Sequence, residues 1–98
     1  MHKRTVLITG CSEGSLGNAL AQILHKRGCR VFATARNASK IAHFADLGIE
    51  SLTLDVVSQE SIADCKRQIE LLTEDGSLDI LINNVSRIML PHAISKLI

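Results

Sequence analysis

The 98-residue sequence has no excess of charge of either sign, and this argues against two classes of partner. Eleven lysine and arginine residues stand against ten aspartate and glutamate residues, so that the formal net charge is +1. Proteins that bind nucleic acid or anionic membranes concentrate basic residues on one face, whereas here the two signs are interleaved along the chain. We therefore expect no nucleic-acid partner, and the charge pattern gives no indication of binding to an anionic membrane.

Long hydrophobic runs are also missing. Apolar stretches extend over only a few residues, whereas roughly 18–20 apolar residues are needed to span a bilayer. The basic residues Lys3 and Arg4 precede an apolar run at residues 6–8, but this run ends at Thr9 and is too short for a signal peptide. We expect no transmembrane segment and a cytoplasmic protein.

The cysteines are few and odd in number. Cys11, Cys29 and Cys65 form no Cys-x-x-Cys pair, and a disulfide framework or a zinc site needs paired ligands at suitable spacing. The thiols are therefore expected to be reduced. The histidines have no acidic or cysteine partner at ligand spacing and are expected to be solvated; they are His2, His25, His43 and His92.

Strand and helix patterns alternate along most of the chain. Strands are predicted over residues 5–8, 30–35, 49–54 and 78–82, and helices over residues 18–27, 39–47 and 58–72. This alternation with short connections indicates an α/β protein with a parallel sheet. Right-handed crossovers predict the strand order 3-2-1-4, which is a partial Rossmann-type sheet of about four strands with flanking helices.

A glycine-rich segment joins the first predicted strand to the first helix. It reads Thr-Gly-Cys-Ser-Glu-Gly-Ser-Leu-Gly over residues 9–17. Gly10 permits the bend between strand and helix, and Gly14 permits a close approach of the backbone to phosphate. Gly17 permits close packing of the helix on the sheet. The segment indicates a dinucleotide phosphate site; the alternative is a structural turn that binds nothing. Cys11 either has a lowered thiol pKa at the helix start or merely fits the turn, and we assign it no catalysis.

A cation, Arg36, directly follows the second predicted strand. Residues 35–37 read Ala-Arg-Asn, where an NAD-binding domain would have an acidic residue for the ribose hydroxyls. Arg36 can fork onto phosphate oxygens, which favours NADP(H) over NAD(H). The alternative is a solvated arginine before a helix cap at Asn37, and Glu13 in the glycine segment weighs against a nearby dianionic phosphate.

Polar residues also follow the third and fourth predicted strands. Asp55 stands where a side chain accepts from the adenine amino group, but it is equally typical of a turn before a helix cap at Ser58. Asn83 and Asn84 end the fourth strand at the same sheet edge. Their amides either line the crevice or hold neighbouring strands together.

These segments together resemble the short-chain dehydrogenase/reductase family. The motifs are residues 9–17, 35–37, Leu-Asp-Val at 54–56 and Leu-Asp-Ile-Leu-Ile-Asn-Asn at 78–84. Within the family the glycine segment is most similar to fungal NADPH-dependent reductases of the 1-acyldihydroxyacetone-phosphate reductase type. The resemblance implies an NADP(H)-dependent oxidoreductase acting on a carbonyl or alcohol. It implies cofactor contacts from Gly10, Ser12, Gly14, Leu16, Gly17, Arg36, Asp55 and Asn83.

The sequence departs from the family pattern at three places. Ser15 replaces a further glycine, and Val85 with Ser86 replaces the family's Ala-Gly. The family's catalytic serine and Tyr-x-x-x-Lys pair lie in a later segment, and this chain has no tyrosine. We therefore expect a chain truncated after the fourth strand, with no catalytic residue and no turnover of its own.

At this length the chain is one domain at most. Residues 1–86 are predicted to be the N-terminal NADP-binding half of a Rossmann-type domain, and residues 87–98 an atypical tail. An exposed edge on the fourth strand is a template for pairing, so self-association is expected. The alternatives to a cofactor-binding half are a non-catalytic module that pairs through this edge and a degenerate fragment without a stable fold.

Overall fold

Four parallel strands form one sheet in the order β3-β2-β1-β4, as predicted. The computed structural model describes residues 3–73 and 78–84. Its strands are β1 (Thr5–Ile8), β2 (Arg30–Ala35), β3 (Glu50–Thr53) and β4 (Ile80–Ile82). Its helices are α1 (Leu16–Lys26), α2 (Gln59–Leu72) and two 3-10 helices at Ala38–Lys40 and Ala42–Leu47.

The central strand β1 is buried on both faces. Leu7 pairs in register with Phe32 of β2 and Leu81 of β4, and it belongs to the core beneath α2. Val6 and Ile8 point the other way, into the core formed with α1 and the 3-10 helices. Because each face buries its own set of apolar side chains, β1 is continuously hydrophobic and does not alternate.

Serine side chains start both α-helices. The Ser58 hydroxyl accepts from the Ser61 amide at 3.2 Å, and α2 then lays Ile62, Cys65 and Ile69 on the sheet. Ser15 caps α1, so this helix begins at Leu16, two residues before the predicted start. An N-cap side chain satisfies one of the amides that a helix leaves unpaired at its start.

The predicted helix over residues 39–47 is two short 3-10 helices. The Asn37 side chain accepts from the Ser39 amide at 3.0 Å and caps the first. Ile41 leaves helical geometry (φ −123°) and the second ends before Gly48. Isolated α-helices this short are marginal, and burial of Ile41 and Phe44 against the sheet sets the path of the chain instead.

Strand β4 lies at one edge of the sheet and is shorter than predicted. Hydrogen bonds hold its start on β1: the Thr5 amide donates to the Asp79 carboxylate at 2.8 Å, and the Asp79 amide donates to the Thr5 carbonyl at 3.1 Å. The predicted tail at residues 87–98, with Val85 and Ser86, lies outside the described residues. An exposed tail and self-association therefore remain predictions. No described helix is long and apolar enough to cross a membrane.

Candidate functional site

The segments that follow the four strands open into a shared cavity of about 610 Å³. Small-molecule sites are typically about 300–1,000 Å³ and, in open parallel sheets, lie at the carboxyl ends of the strands. The lining residues come from all four strand ends: Gly10, Ser12, Ser15 and Leu16 after β1; Ala35 as the last residue of β2, with Arg36, Asn37 and Lys40 after it; Leu54, Asp55, Val56 and Val57 after β3; and Asn84 after β4.

The glycine segment forms a tight turn over the end of β1. Gly10 (φ +69°) and Gly14 (φ +82°) both adopt left-handed backbone conformations, which L side chains rarely tolerate. The Cys11 amide donates to the Thr34 carbonyl at 2.8 Å and holds the turn on β2. Among the described residues the amides of Ser12 and Leu16 have no acceptor. Two donors, one in the turn and one at the first residue of α1, are thus available to an anion.

Ser15 has a structural role that the sequence comparison with the family did not reveal. Its hydroxyl donates to the Gly10 carbonyl at 3.0 Å and accepts from the Asn18 amide at 3.2 Å. One side chain therefore caps α1 and closes the turn. A serine directly before the apolar pattern of the helix was the available signal.

Gly17 lies where the helix, the turn and the end of β4 meet. A Cβ atom at this position would lie 2.5 Å from the Gly10 carbonyl oxygen and 2.8 Å from Asn84 Nδ2. The close helix packing predicted for this glycine is therefore present. Gly17 is not among the residues that line the cavity.

The cavity lining contains two cations and one carboxylate. Arg36 and Lys40 follow β2, whereas Asp55 follows β3. Within residues 3–73 and 78–84, no salt bridge involves these three side chains. The sequence analysis missed Lys40, because its place at the cavity depends on the 3-10 helix Ala38–Lys40, which the sequence did not predict.

Asp55 forms the turn that was one of the two interpretations, whereas contact with adenine remains a prediction. Its Oδ1 accepts from the Val57 amide at 3.2 Å, as in a turn, and its own amide donates to the Ser61 hydroxyl at 2.7 Å. The residue also lines the cavity. The turn therefore orients the carboxyl group at the wall of the site.

The two asparagines after β4 differ in position. The Thr9 hydroxyl donates to Asn83 Oδ1 at 3.2 Å and accepts from the Asn84 amide at 2.8 Å. These bonds hold the ends of β1 and β4 together, which was one of the two expected roles. Asn84 lines the cavity, whereas Asn83 does not.

Five of the predicted cofactor contacts line the cavity, namely Gly10, Ser12, Leu16, Arg36 and Asp55. The other three, Gly14, Gly17 and Asn83, lie in the turn or in the contacts that support the walls. Direct contact between any of the eight and a cofactor remains a prediction. Val57 is a lining residue that the sequence analysis missed; its side chain is 62% exposed.

The lowered thiol pKa considered for Cys11 is wrong. The side chain is fully buried and donates to the Ile8 carbonyl at 3.2 Å, and burial raises the pKa of its thiol from 9.0 to about 11. Cys11 is therefore the small residue that fits the turn. Burial likewise raises the pKa of the Cys65 thiol to about 11, because an apolar environment disfavours the thiolate.

The expected solvation of the histidines is wrong for His43. Its ring hydrogen-bonds to Asn18 and lies against Phe44, with ring centroids 4.2 Å apart. His25 is half-buried, and the other two histidines lie outside the described residues. Within the described part of the chain no cluster of ligating side chains is suited to a metal ion.

Thiol modification is expected to distinguish the three cysteines. At pH 8 a thiol of pKa about 11 is ionised in roughly one molecule per thousand. Half-buried Cys29 is therefore expected to react first with a disulfide reagent. Cys11 and Cys65 are expected to react only when denaturant unfolds the chain. Mass spectrometry of the native protein checks this, and early labelling of Cys11 would contradict the buried position.

The comparisons with known proteins define the family. The family model for short chain dehydrogenase matches residues 4–97, so the chain belongs to the short-chain dehydrogenase/reductase family. It is 55% identical over 82 residues to the short-chain dehydrogenase/reductase GME11361 of Pestalotiopsis microspora, covering 84% of this chain and 28% of that protein.

A second fungal relative matches the subfamily predicted from the glycine segment. The NADPH-dependent 1-acyldihydroxyacetone phosphate reductase of Schizosaccharomyces pombe is 43% identical over 82 residues, covering 84% of this chain and 27% of that protein. The chain therefore spans less than a third of the length of either curated relative.

Solved structures share the fold. The RhlG/NADP active-site complex of Pseudomonas aeruginosa has a TM-score of 0.74 at 31% identity, covering 86% of this chain and 35% of that chain. Menthone neomenthol reductase of Mentha piperita has a TM-score of 0.73 at 28% identity, covering 89% of this chain and 33% of that chain. The predicted Rossmann-type sheet is thus confirmed.

Proposed function

We propose that this chain is the NADP(H)-binding portion of an oxidoreductase acting on a carbonyl or alcohol. The observation that carries the proposal is the single cavity that joins the glycine turn, Arg36 and Asp55 at neighbouring strand ends. The similarity to a reductase named as NADPH-dependent and to an NADP complex supports it.

The residues present fit a dinucleotide phosphate. Gly17 leaves no room for a side chain beside the turn, and the amides of Ser12 and Leu16 have no acceptor among the described residues. We assign these amides to the diphosphate and Arg36 to the 2′-phosphate, because backbone amides at a helix start and a guanidinium both bind phosphate. Asp55 is assigned to the adenine amino group.

Two exposed apolar side chains complete the proposed site. Leu16 is 67% exposed and Val57 62% exposed, and both line the cavity. A bound dinucleotide would cover part of this apolar surface, which is favourable at roughly 25 cal/mol per Å². We therefore expect apolar contacts with Leu16 and Val57 to hold the bound cofactor in a defined position.

The bound nicotinamide would supply hydride transfer. The residues of this chain bind and orient the cofactor. The sequence contains no tyrosine, so it lacks the proton donor that the family resemblance implies. We propose that the 98-residue chain on its own binds cofactor without turnover.

A thermal melt with each nucleotide tests the proposal. A ligand that binds only the folded chain at 100 times its dissociation constant stabilises it by about 2.7 kcal/mol. For a domain of this size we expect the melting temperature to rise by about 10 °C or more. The rise is expected to saturate with NADPH and to be larger than the rise with NADH at equal concentration.

A cooperative transition that neither nucleotide moves would contradict cofactor binding. It would leave pairing through the β4 edge as the function to test, by sedimentation at several concentrations. Absence of any cooperative transition would indicate a fragment without a stable fold.

A further inference from the structure

Lys40 lines the same cavity as Arg36, and both residues belong to the segment after β2. Arg36 directly precedes Asn37, which caps the short 3-10 helix after β2, and Lys40 is the last residue of that helix. We propose that Lys40 is the second cation of the 2′-phosphate subsite and, with Arg36, selects NADP(H) over NAD(H). This inference rests on the proposed function.

Backbone hydrogen bonds hold Lys40 in position relative to the glycine turn. Its amide donates to the Asn37 carbonyl at 3.0 Å, and its carbonyl accepts from the Glu13 amide at 3.1 Å. Asn37 also binds the Ser39 amide and hydroxyl through its side chain at 3.0 and 2.9 Å. The turn that carries both cations is therefore attached to the loop that we assign to the diphosphate.

The charges at the cavity wall favour a dianion on the β2 side. A phosphate monoester carries about −1.5 to −2 charges at neutral pH. One guanidinium balances about half of this charge, and the Lys40 ammonium supplies the remainder. Asp55, the acidic residue among the lining side chains, belongs to the segment after β3.

Glu13 does not counteract this arrangement in the structure. From the sequence, the Glu13 carboxylate weighed against a phosphate nearby. In the structure Glu13 is exposed and is not a lining residue. Its amide is bound to the Lys40 carbonyl. Glu13 therefore serves to attach the loop to the Lys40 turn.

The side chain of Lys40 is available to a ligand. Lys40 is exposed, and within residues 3–73 and 78–84 no salt bridge involves its ammonium. Its place in the lining with Arg36 and the attachment of its backbone to the glycine turn favour the binding role.

The test is isothermal titration of the full 98-residue chain and its Lys40→Met variant. The probes are NADPH, NADH, adenosine 2′,5′-bisphosphate and 5′-AMP, which differ in pairs by the 2′-phosphate. We expect Lys40→Met to weaken NADPH and the bisphosphate about tenfold and to leave NADH and 5′-AMP within about twofold.

Two control variants make the result specific. Lys66→Met removes the same charge from the exposed face of α2, away from the cavity, and is expected to change none of the four affinities. Lys40→Arg keeps the positive charge and is expected to retain most of the preference for NADPH. Melting without ligand checks that each variant is folded.

The outcomes separate this inference from the proposed function. Equal weakening of NADPH and NADH in Lys40→Met would mean that the residue only supports the loop, and would overturn the inference. If Lys40→Met leaves all four affinities unchanged while Arg36→Met abolishes the preference for NADPH, the inference is overturned and the proposed function stands. A wild-type chain that binds neither nucleotide would refute the proposed function and the inference with it. Should Lys40→Met not fold, Lys40→Gln removes the same charge and is titrated in its place, and the same outcomes then support or overturn the proposal.

Discussion

Arg36→Asp is expected to reverse the preference of the chain between the two nicotinamide dinucleotides. The change removes a charge-assisted contact to phosphate, worth about 1.5–3 kcal/mol, and adds repulsion from a carboxylate. We expect the dissociation constant for NADPH to rise about 100-fold or more, since about 1.4 kcal/mol is a factor of ten. NADH is expected to bind as well as before or better, because a carboxylate at this position accepts from ribose hydroxyls.

Arg67→Asp is the matched control for the change in net charge. Arg67 lies on the exposed face of α2 and pairs with Asp64 at 3.0 Å, so its loss costs little. Isothermal titration with both nucleotides compares the two variants. A similar loss of NADPH binding in both variants would show a long-range charge effect and argue against a phosphate contact at Arg36.

Gly17→Ala is expected to destabilise the chain by about 3 kcal/mol, although the same change in an open helix position stabilises by about 1 kcal/mol. The reason is the backbone carbonyl of Gly10, which would lie 2.5 Å from the new Cβ atom. This oxygen belongs to the turn and cannot move as a flexible side chain would. Chemical denaturation gives the free energy of unfolding, and NADPH affinity is expected to fall as the turn is displaced.

Gly14→Ala tests the effect of backbone strain without the close contact that Gly17→Ala introduces. Nothing lies within 4 Å of a Cβ atom at Gly14, but its φ of +82° is unfavourable for alanine. A left-handed residue costs roughly 1–2 kcal/mol, so a smaller loss is expected than for Gly17→Ala. Greater stability of Gly17→Ala than of the wild type would contradict the packing described at the helix start.

The order of the sheet was predictable because it depends on short-range pattern and handedness. Residues 5–8 and 30–35 are apolar runs bounded by polar residues or glycine, and they became β1 and β2 with the predicted bounds. Right-handed crossovers between parallel strands then leave few arrangements. The segment at residues 39–47 was less predictable, because its apolar spacing suits a helix while burial of Ile41 and Phe44 against the sheet decides its path.

The residues of the candidate site also divide into those that the sequence predicted and those that it did not. The glycine turn, Arg36 and Asp55 were identifiable because each stands directly after a strand, and parallel strands bring their carboxyl ends to one edge. Lys40 was not identifiable in this way, since its place at the cavity depends on how the 3-10 turn folds back toward Glu13. Cys11 was ambiguous because sequence alone does not show how deeply a loop residue is buried.

By itself the sequence determined the class of fold, the family and the strand ends at which a ligand would bind, because hydrophobic periodicity and glycine spacing are local properties of the chain. Only the tertiary structure decided which side chains share the cavity, that Cys11 is buried, that Ser15 closes the turn, and that Gly17 has no room for a methyl group. These depend on distances between segments far apart in the chain, and such distances are set when the two cores pack on either side of the sheet.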